Sequence, residues 1–195
     1  MANDITVVIP SIPTRSMMML RAMRSVAVQS HPASTVLVEF DHDREGPAAM
    51  RNRALQKVTT EWVAFLDDDD QFNVNHLEAV HGCAEKTGAD LVYPWFDVIS
   101  TRATPGWDPL GCFGMPFDPE RLDTANYIPV TVLARTKVIR DAGGFVNRSD
   151  GDATCEDWGC WLRMRDAGAK FVHHPERTWV WNWHNGNTSG RTDRW

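Results

Sequence analysis

A short apolar run, Trp62, Val63, Ala64, Phe65 and Leu66, stops abruptly at four consecutive carboxylates, Asp67, Asp68, Asp69 and Asp70. A run of this kind, rich in strand formers, fits a strand buried on both faces of a parallel sheet. Four like charges at a strand's end repel one another, so the arrangement costs stability unless something positive sits there. Oxygen ligands suit a hard divalent cation, magnesium or manganese. Open α/β sheets bind ligands beyond the carboxyl ends of their strands, and these acids fall at such an end. Taken alone, the run also reads as a solvated acidic loop.

At 195 residues the chain is expected to form one domain with a real core. Hydrophobic residues at 43% and charged residues at 24% exclude global disorder. The formal net charge of −6 speaks against nucleic-acid binding through a general basic surface. The opening MANDITVVIP has neither a basic leader nor a long apolar stretch, and no run reaches the length of a membrane span, so a cytoplasmic protein is expected. In that setting Cys83, Cys112, Cys155 and Cys160 are expected to be reduced thiols. Cys155, Cys160, His173 and His174 lack the ligand spacing of a zinc finger.

Strands and helices alternate through the first half. Ile5 to Ile9 is a β-branched run ended by Pro10, and a helix is expected over roughly residues 16–29, with Ser16 as N-cap. Its helical spacing assigns Met19, Leu20, Met23, Val26 and Ala27 to the buried face. Val36 to Phe40 is a second strand ending at Asp41, with Asp43 two residues on. Gly46 and Pro47 open a helix that turns Met50, Ala54, Leu55 and Val58 inward and Arg51, Asn52 and Arg53 elsewhere. After the strand before the aspartates, Asn75 is expected to cap a helix ended by Gly88, and residues 90–97 read as a strand that Pro94 pushes toward an edge or a bulge. The alternation predicts a parallel sheet with right-handed crossovers.

The pattern breaks between Ile99 and Asn126, a long proline- and glycine-bearing loop of the kind that usually serves function. Further on, residues 127–134 read as a strand, 136–142 as a short helix, and CEDWGCWLRMRDAG as a helix opened by Glu156 and Asp157. Residues 170–173 and 177–183 read as two strands, the second carrying Trp179, Trp181 and Trp183 on one face. That stripe fits a sheet face packed on the core, and Trp107, Trp181 and Trp183 also offer flat apolar faces on which a ligand could stack.

Several segments in order, TVVIPSIPTR, SVAVQSHP, VLVEFDHD, GPAAMRNRAL, FLDDDD, GGF, the Glu-Asp pair of CEDWGCWLRM and the late histidine of WHNGNTSG, resemble glycosyltransferase family 2 with the GT-A fold. The resemblance covers nearly the whole chain. It implies an α/β fold, a Rossmann-like mostly parallel sheet flanked by helices, with a smaller antiparallel section on the acceptor side. Residues up to about 97 are then the nucleotide-sugar part, and residues from about 98 to 195 the acceptor and catalytic-base part. The implied activity is an inverting, metal-dependent transfer of a sugar from a nucleotide-diphosphate sugar, a UDP-sugar favoured, to a hydroxyl of a carbohydrate, glycan or glycosylated acceptor.

The resemblance implies nucleotide-sugar contacts at Pro10, Arg15, Asp41, Asp43, Arg51, Asn52, Asp67 and Asp68. It implies a manganese or magnesium ion held by Asp69 and Asp67, with His184 as a further ligand. The family's second strand often ends in two adjacent acids, whereas this chain has FDHDREG, which leaves open whether Asp41 or Asp43 reads the base. The acceptor hydroxyl needs a base in the transition state, and the candidate is Asp157, with Glu156 beside it. An acidic pair at a helix N-terminus is also favourable for the helix alone. Two other classes compete. A non-catalytic nucleotide-sugar or carbohydrate binding module would not need the Glu-Asp pair. A nucleotidyltransferase would show a glycine-rich basic loop after the first strand, and SIPTR is not one.

Overall fold

A computed structural model of the chain describes residues 4–100, 113–146 and 155–184. The sheet strands are β1 (Ile5–Ser11), β2 (Thr35–Phe40), β3 (Trp62–Phe65), β4 (Gln71–Phe72), β5 (Leu91–Ser100), β6 (Leu133–Arg135) and β7 (Phe171–Trp183). They form one sheet in the order β2-β1-β3-β6-β5-β7-β4. β1 pairs in parallel with β2 and β3, and β5 with β7, while β6 and β4 run antiparallel to their neighbours. The helices are α1 (Ser16–Ala27), α2 (Pro47–Lys57), α3 (His76–Thr87), α4 (Pro119–Leu122), α5 (Thr136–Asp141) and α6 (Glu156–Asp166).

The central strands are buried on both faces, with alternate residues entering different cores. Val8, Val63 and Phe65 pack with Ala54, Leu55, Ile139, Phe145 and Trp161 on one side. Val7, Ile9, Trp62, Ala64 and Leu66 pack with Val26, Leu77, Val80 and the tryptophan stripe on the other. Trp179, Trp181 and Trp183 are therefore core residues, as the packing reading of the stripe has it. Trp107 lies outside the described residues. Cys83 and Cys160 are unpaired thiols, while Cys112 is outside the described residues. Among the described residues no helix is long and apolar enough to cross a membrane.

Four local expectations are corrected. α1 buries Ala22, Ser25 and Val26 and leaves Leu20 and Met23 at the surface. Hydrogen bonding overrides hydrophobicity there: Ser25 Oγ accepts from Phe72 N at 3.0 Å. Gln29 accepts from Leu77 N at 2.9 Å and donates to Asn73 O at 2.7 Å. Ser16 is the first helical residue rather than the N-cap, and its hydroxyl donates back to Pro13 O. Of the expected strand over 127–134 only the end is strand, and β6 enters between β3 and β5, so the fourth strand does not neighbour the third. Finally, the two expected C-terminal strands are one. The register steps from Pro94↔His174 to Trp95↔Arg177, so Pro175 falls in a bulge where no ladder bond needs its missing N–H.

Candidate active site

The carboxyl ends of β1, β3 and β7 converge on the aspartate run. Val8 O accepts from Leu66 N toward β3, and the β1–β3 register ends at Val8↔Phe65. Pro10 faces the same side one step later, so its lack of an N–H costs no ladder bond there. Ser11 Oγ donates to Asp68 Oδ2 at 2.7 Å. A 3₁₀ turn over Pro13–Arg15 then brings Arg15 Nη1 to 3.0 Å from Asp68 Oδ1 and 3.2 Å from Asp69 Oδ2. From β7, Asn182 N donates to Asp70 Oδ1 at 2.9 Å and Asn182 Nδ2 to Asp69 O at 2.7 Å. Just past β7, His184 Nε2 lies 3.0 Å from Asp69 Oδ2.

The charge here is uneven. Burial lowers the Arg15 pKa, but Asp69 and Asp68 outweigh it and hold the guanidinium above its usual value. Burial, and then the charges of Asp69 and Asp67, push the Asp70 carboxyl well above the usual carboxylate range. Burial also raises Asp68, against the bonds from Ser11 and Arg15. Carboxyls raised by one another's charge mark a place where more positive charge would be accommodated. One oxygen from each of Asp67, Asp69 and Asp70 lies within 4.8 Å of the other two. Such hard oxygen donors fit magnesium or manganese. Asp70 was not among the ligands expected from sequence. Its place in the run was visible, but which members of the run converge is set by the turn after β3.

Arg51 links these acids to the second acidic pair. It is 2% exposed, although its sequence position reads as facing away from the core. Its Nη2 donates to Asp67 Oδ1 at 2.6 Å and its Nη1 to Glu156 Oε1 at 3.0 Å. Burial opposes the guanidinium's charge, but Asp67 and Glu156 outweigh it and hold the pKa above its usual value. Arg51→Met should therefore strand two carboxylates. Loss of one partner of a buried pair costs about 3–5 kcal/mol, and the partial solvation of Asp67 favours the lower end. Urea unfolding of wild type and variant checks this, and a change under about 1 kcal/mol would contradict the bridge.

Asp157 follows Glu156 in the first turn of α6. Its Oδ1 accepts from Trp158 N at 2.7 Å and from Asn126 Nδ2 at 3.1 Å. Burial and the adjacent Glu156 charge push its carboxyl up to about 7, against the pull of Arg51 and those two donors. α6 is held against the segment before β6, where Trp158 Nε1 donates to Leu122 O at 2.7 Å and Trp161 Nε1 to Ile128 O at 3.2 Å. Asn126 was invisible as a site residue in the sequence, since a lone asparagine at a loop end carries no signal.

Of the remaining expected residues, Asp41 and Asn52 hold loops. Asp41 is buried, and its carboxylate accepts from Glu45 N at 2.9 Å and Gly46 N at 2.8 Å, shaping the entry to α2. Asp43 is exposed. Asn52 grips Phe145, donating to its carbonyl at 2.6 Å and accepting from its N–H at 2.9 Å. Gly144 permits this grip, because it has φ +66° and a Cβ there would stand 2.5 Å from Asn52 Oδ1. This is the physical content of the Gly-Gly-Phe segment.

Residues 25–143 match the sequence model of the family described as Glycosyl transferase family 2. The chain is 29% identical over 215 aligned positions to the "Pre-mycofactocin glycosyltransferase" of Mycobacterium tuberculosis, covering 93% of this chain and 44% of that protein. It thus spans under half the length of that curated relative. Among solved structures it is similar to residues 1–349 of S. aureus TarS in complex with UDP-GlcNAc, with a TM-score of 0.72 at 16% identity over 94% of this chain and 60% of that one. It is also similar to the mannosyltransferase PcManGT of Pyrobaculum calidifontis in complex with GDP-Man and Mn2+, with a TM-score of 0.65 at 13% identity over 91% and 56% of the two chains. These likenesses establish the GT-A fold.

Proposed function

The chain belongs to glycosyl transferase family 2, and from that premise we propose that it is an inverting, metal-dependent glycosyltransferase. The donor is a nucleotide-diphosphate sugar, a UDP-sugar favoured, and the acceptor is a hydroxyl of a carbohydrate, glycan or glycosylated molecule. The observation that carries this reading is a pair of acidic centres joined by one buried guanidinium: Asp67, Asp69 and Asp70 on one side of Arg51, and Glu156 with Asp157 on the other. That TarS has been solved with UDP-GlcNAc and the mannosyltransferase with GDP-Man and Mn2+ supports the donor class and the metal.

Residues up to about 97 form the donor part, and residues from about 98 supply the acceptor side, the base and His184. Asp67, Asp69 and Asp70, with His184 beside Asp69, would hold the divalent ion. When bound, that ion neutralises charge growing on the diphosphate as a Lewis acid. Arg15, already aligned by Asp68 and Asp69, faces the same charge. Asp41, fixed by its two backbone donors, serves base recognition ahead of exposed Asp43.

With Glu156 occupied by Arg51, Asp157 is the base. Its carboxylate takes the acceptor hydroxyl's proton as the new carbon–oxygen bond forms, while the diphosphate leaves with the electrons of the old bond. Attack opposite the leaving group inverts the anomeric carbon. Unpaired Cys83 and Cys160 support a cytoplasmic setting.

The test is a panel of UDP- and GDP-sugars with manganese or magnesium, in the presence and absence of chelator, with the product's anomeric configuration read by NMR. Transfer or slow donor hydrolysis that chelator abolishes, with an inverted product, is expected. Retention at the anomeric carbon, or turnover indifferent to chelator, would refute the mechanism. Tight donor binding with neither transfer nor hydrolysis would leave the binding-module reading in its place.

A further inference from the structure

A second cluster of metal-ligating side chains lies at the opposite end of the sheet from the aspartates. Asp4 immediately precedes β1, His31 lies in the loop between α1 and β2, and His81 is on α3. One ligand atom from each lies within 4.8 Å of the other two. β1 separates this cluster from Ser11 at the aspartate end by its full length, roughly 20 Å at the rise of a strand.

One polar side-chain atom of each of the three residues is unsatisfied. Asp4 Oδ1, His31 Nε2 and His81 Nε2 are each buried and have no hydrogen-bond partner among the described residues. His81 Nε2 and Asp4 Oδ1 are 3.5 Å apart, beyond the usual 2.7–2.9 Å of a charge-assisted bond. A proton shared by that pair would still leave His31 Nε2 without a partner. Buried polar atoms are normally satisfied, and three orphans on side chains whose ligand atoms cluster within 4.8 Å call for a single shared partner.

The histidine supports are packed and hydrogen-bonded. Trp62 meets the His81 ring edge-on at 6.0 Å, and the His31 and His81 ring centroids are 5.1 Å apart. The His31 loop is pinned on either side: Ser30 N donates to Val74 O and Ser34 N to Ile5 O, both at 2.8 Å. Ser30 Oγ also donates to Glu78 at 2.6 Å.

The geometry points to a structural zinc site formed by Asp4, His31 and His81, which ties the start of β1, the α1–β2 loop and α3 together. Two imidazoles and a carboxylate are a donor set that zinc accepts, with bonds of about 2.0–2.2 Å that set tetrahedral ligands about 3.3 Å apart. The Asp4–His81 pair already stands near that separation. A fourth ligand is at hand in Glu85, one helical turn beyond His81, whose Oε1 is 4.0 Å from His81 Nε2.

Zinc titration of chelator-stripped protein tests this, with excess magnesium present to compete for the aspartates and with the melting temperature followed in parallel. Asp69→Ala protein should still bind one zinc and melt higher with it. Adding His81→Ala to that background should weaken zinc binding by at least the about 10–100-fold that loss of even an outer-shell partner costs, and should remove the zinc-dependent shift. Asp4→Asn, nearly isosteric at a half-buried position, repeats the test without a core cavity. Cobalt in place of zinc should give the visible absorption of a tetrahedral site in Asp69→Ala and lose it in Asp4→Asn. Absence of zinc binding in Asp69→Ala, or binding unchanged by both Asp4→Asn and His81→Ala, would overturn the site.

Discussion

Asp69→Ala is expected to abolish the metal-dependent stabilisation of the protein by a nucleoside diphosphate. Asp69 alone among the four aspartates touches both Arg15 and His184, and it belongs to the trio whose oxygens converge. In wild type, uridine diphosphate at about a hundredfold its dissociation constant should add about 2.7 kcal/mol in the presence of manganese or magnesium. For a chain of this size that is a rise of about 5–10 °C in melting temperature. Asp69→Ala should show no such rise, whereas His184→Ala should keep part of it, because water can replace an imidazole ligand. Equal stabilisation of wild type in excess chelator would remove the metal from the scheme, and full stabilisation of Asp69→Ala would move the site elsewhere.

Asp157→Asn should fold, bind metal and donor normally, and lose about 10²–10⁴-fold in kcat. Asn keeps an acceptor oxygen for Asn126 and the Trp158 N–H but cannot take a proton. The wild-type kcat/KM should rise with pH through about 7 and then level off. Stability should run the other way. The Asp157 pKa lies above its ordinary 3.8 in the folded chain, so between that value and about 7 the folded state holds more proton than the unfolded one. The contribution of Asp157 to stability therefore falls as pH rises across that window. Asp157→Asn lacks this slope, so its melting temperature relative to wild type should climb between pH 5 and pH 8 in chelator. A variant that keeps most of its rate would pass the base role to Glu156. A melting difference that stays flat with pH would show that Asp157 is not held protonated by burial.

The donor-side framework was legible because it is local. Apolar runs ending in Asp41 and Asp67, and helices opened by Pro47 and stopped by Gly88, declare their elements through periodicity and end signals that need no distant partner, whereas β1 runs past the expected stop at Pro10 to Ser11 by pairing with β2. The acidic centres were legible too, since four adjacent aspartates and the Glu-Asp pair are visible as written. Tertiary structure alone decided what depends on contacts between segments far apart in the chain. Arg51 reads as an outward helix residue until Asp67 and Glu156 close on it and make its burial tolerable. Ser25 and Gln29 displace Leu20 and Met23 from the core because the strand and helix that follow the aspartates offer them hydrogen-bond partners. The three-residue β6 has too short a pattern to announce that it divides β3 from β5. Asp4, His31 and His81 carry no motif spacing, and only the sheet's connectivity brings them together.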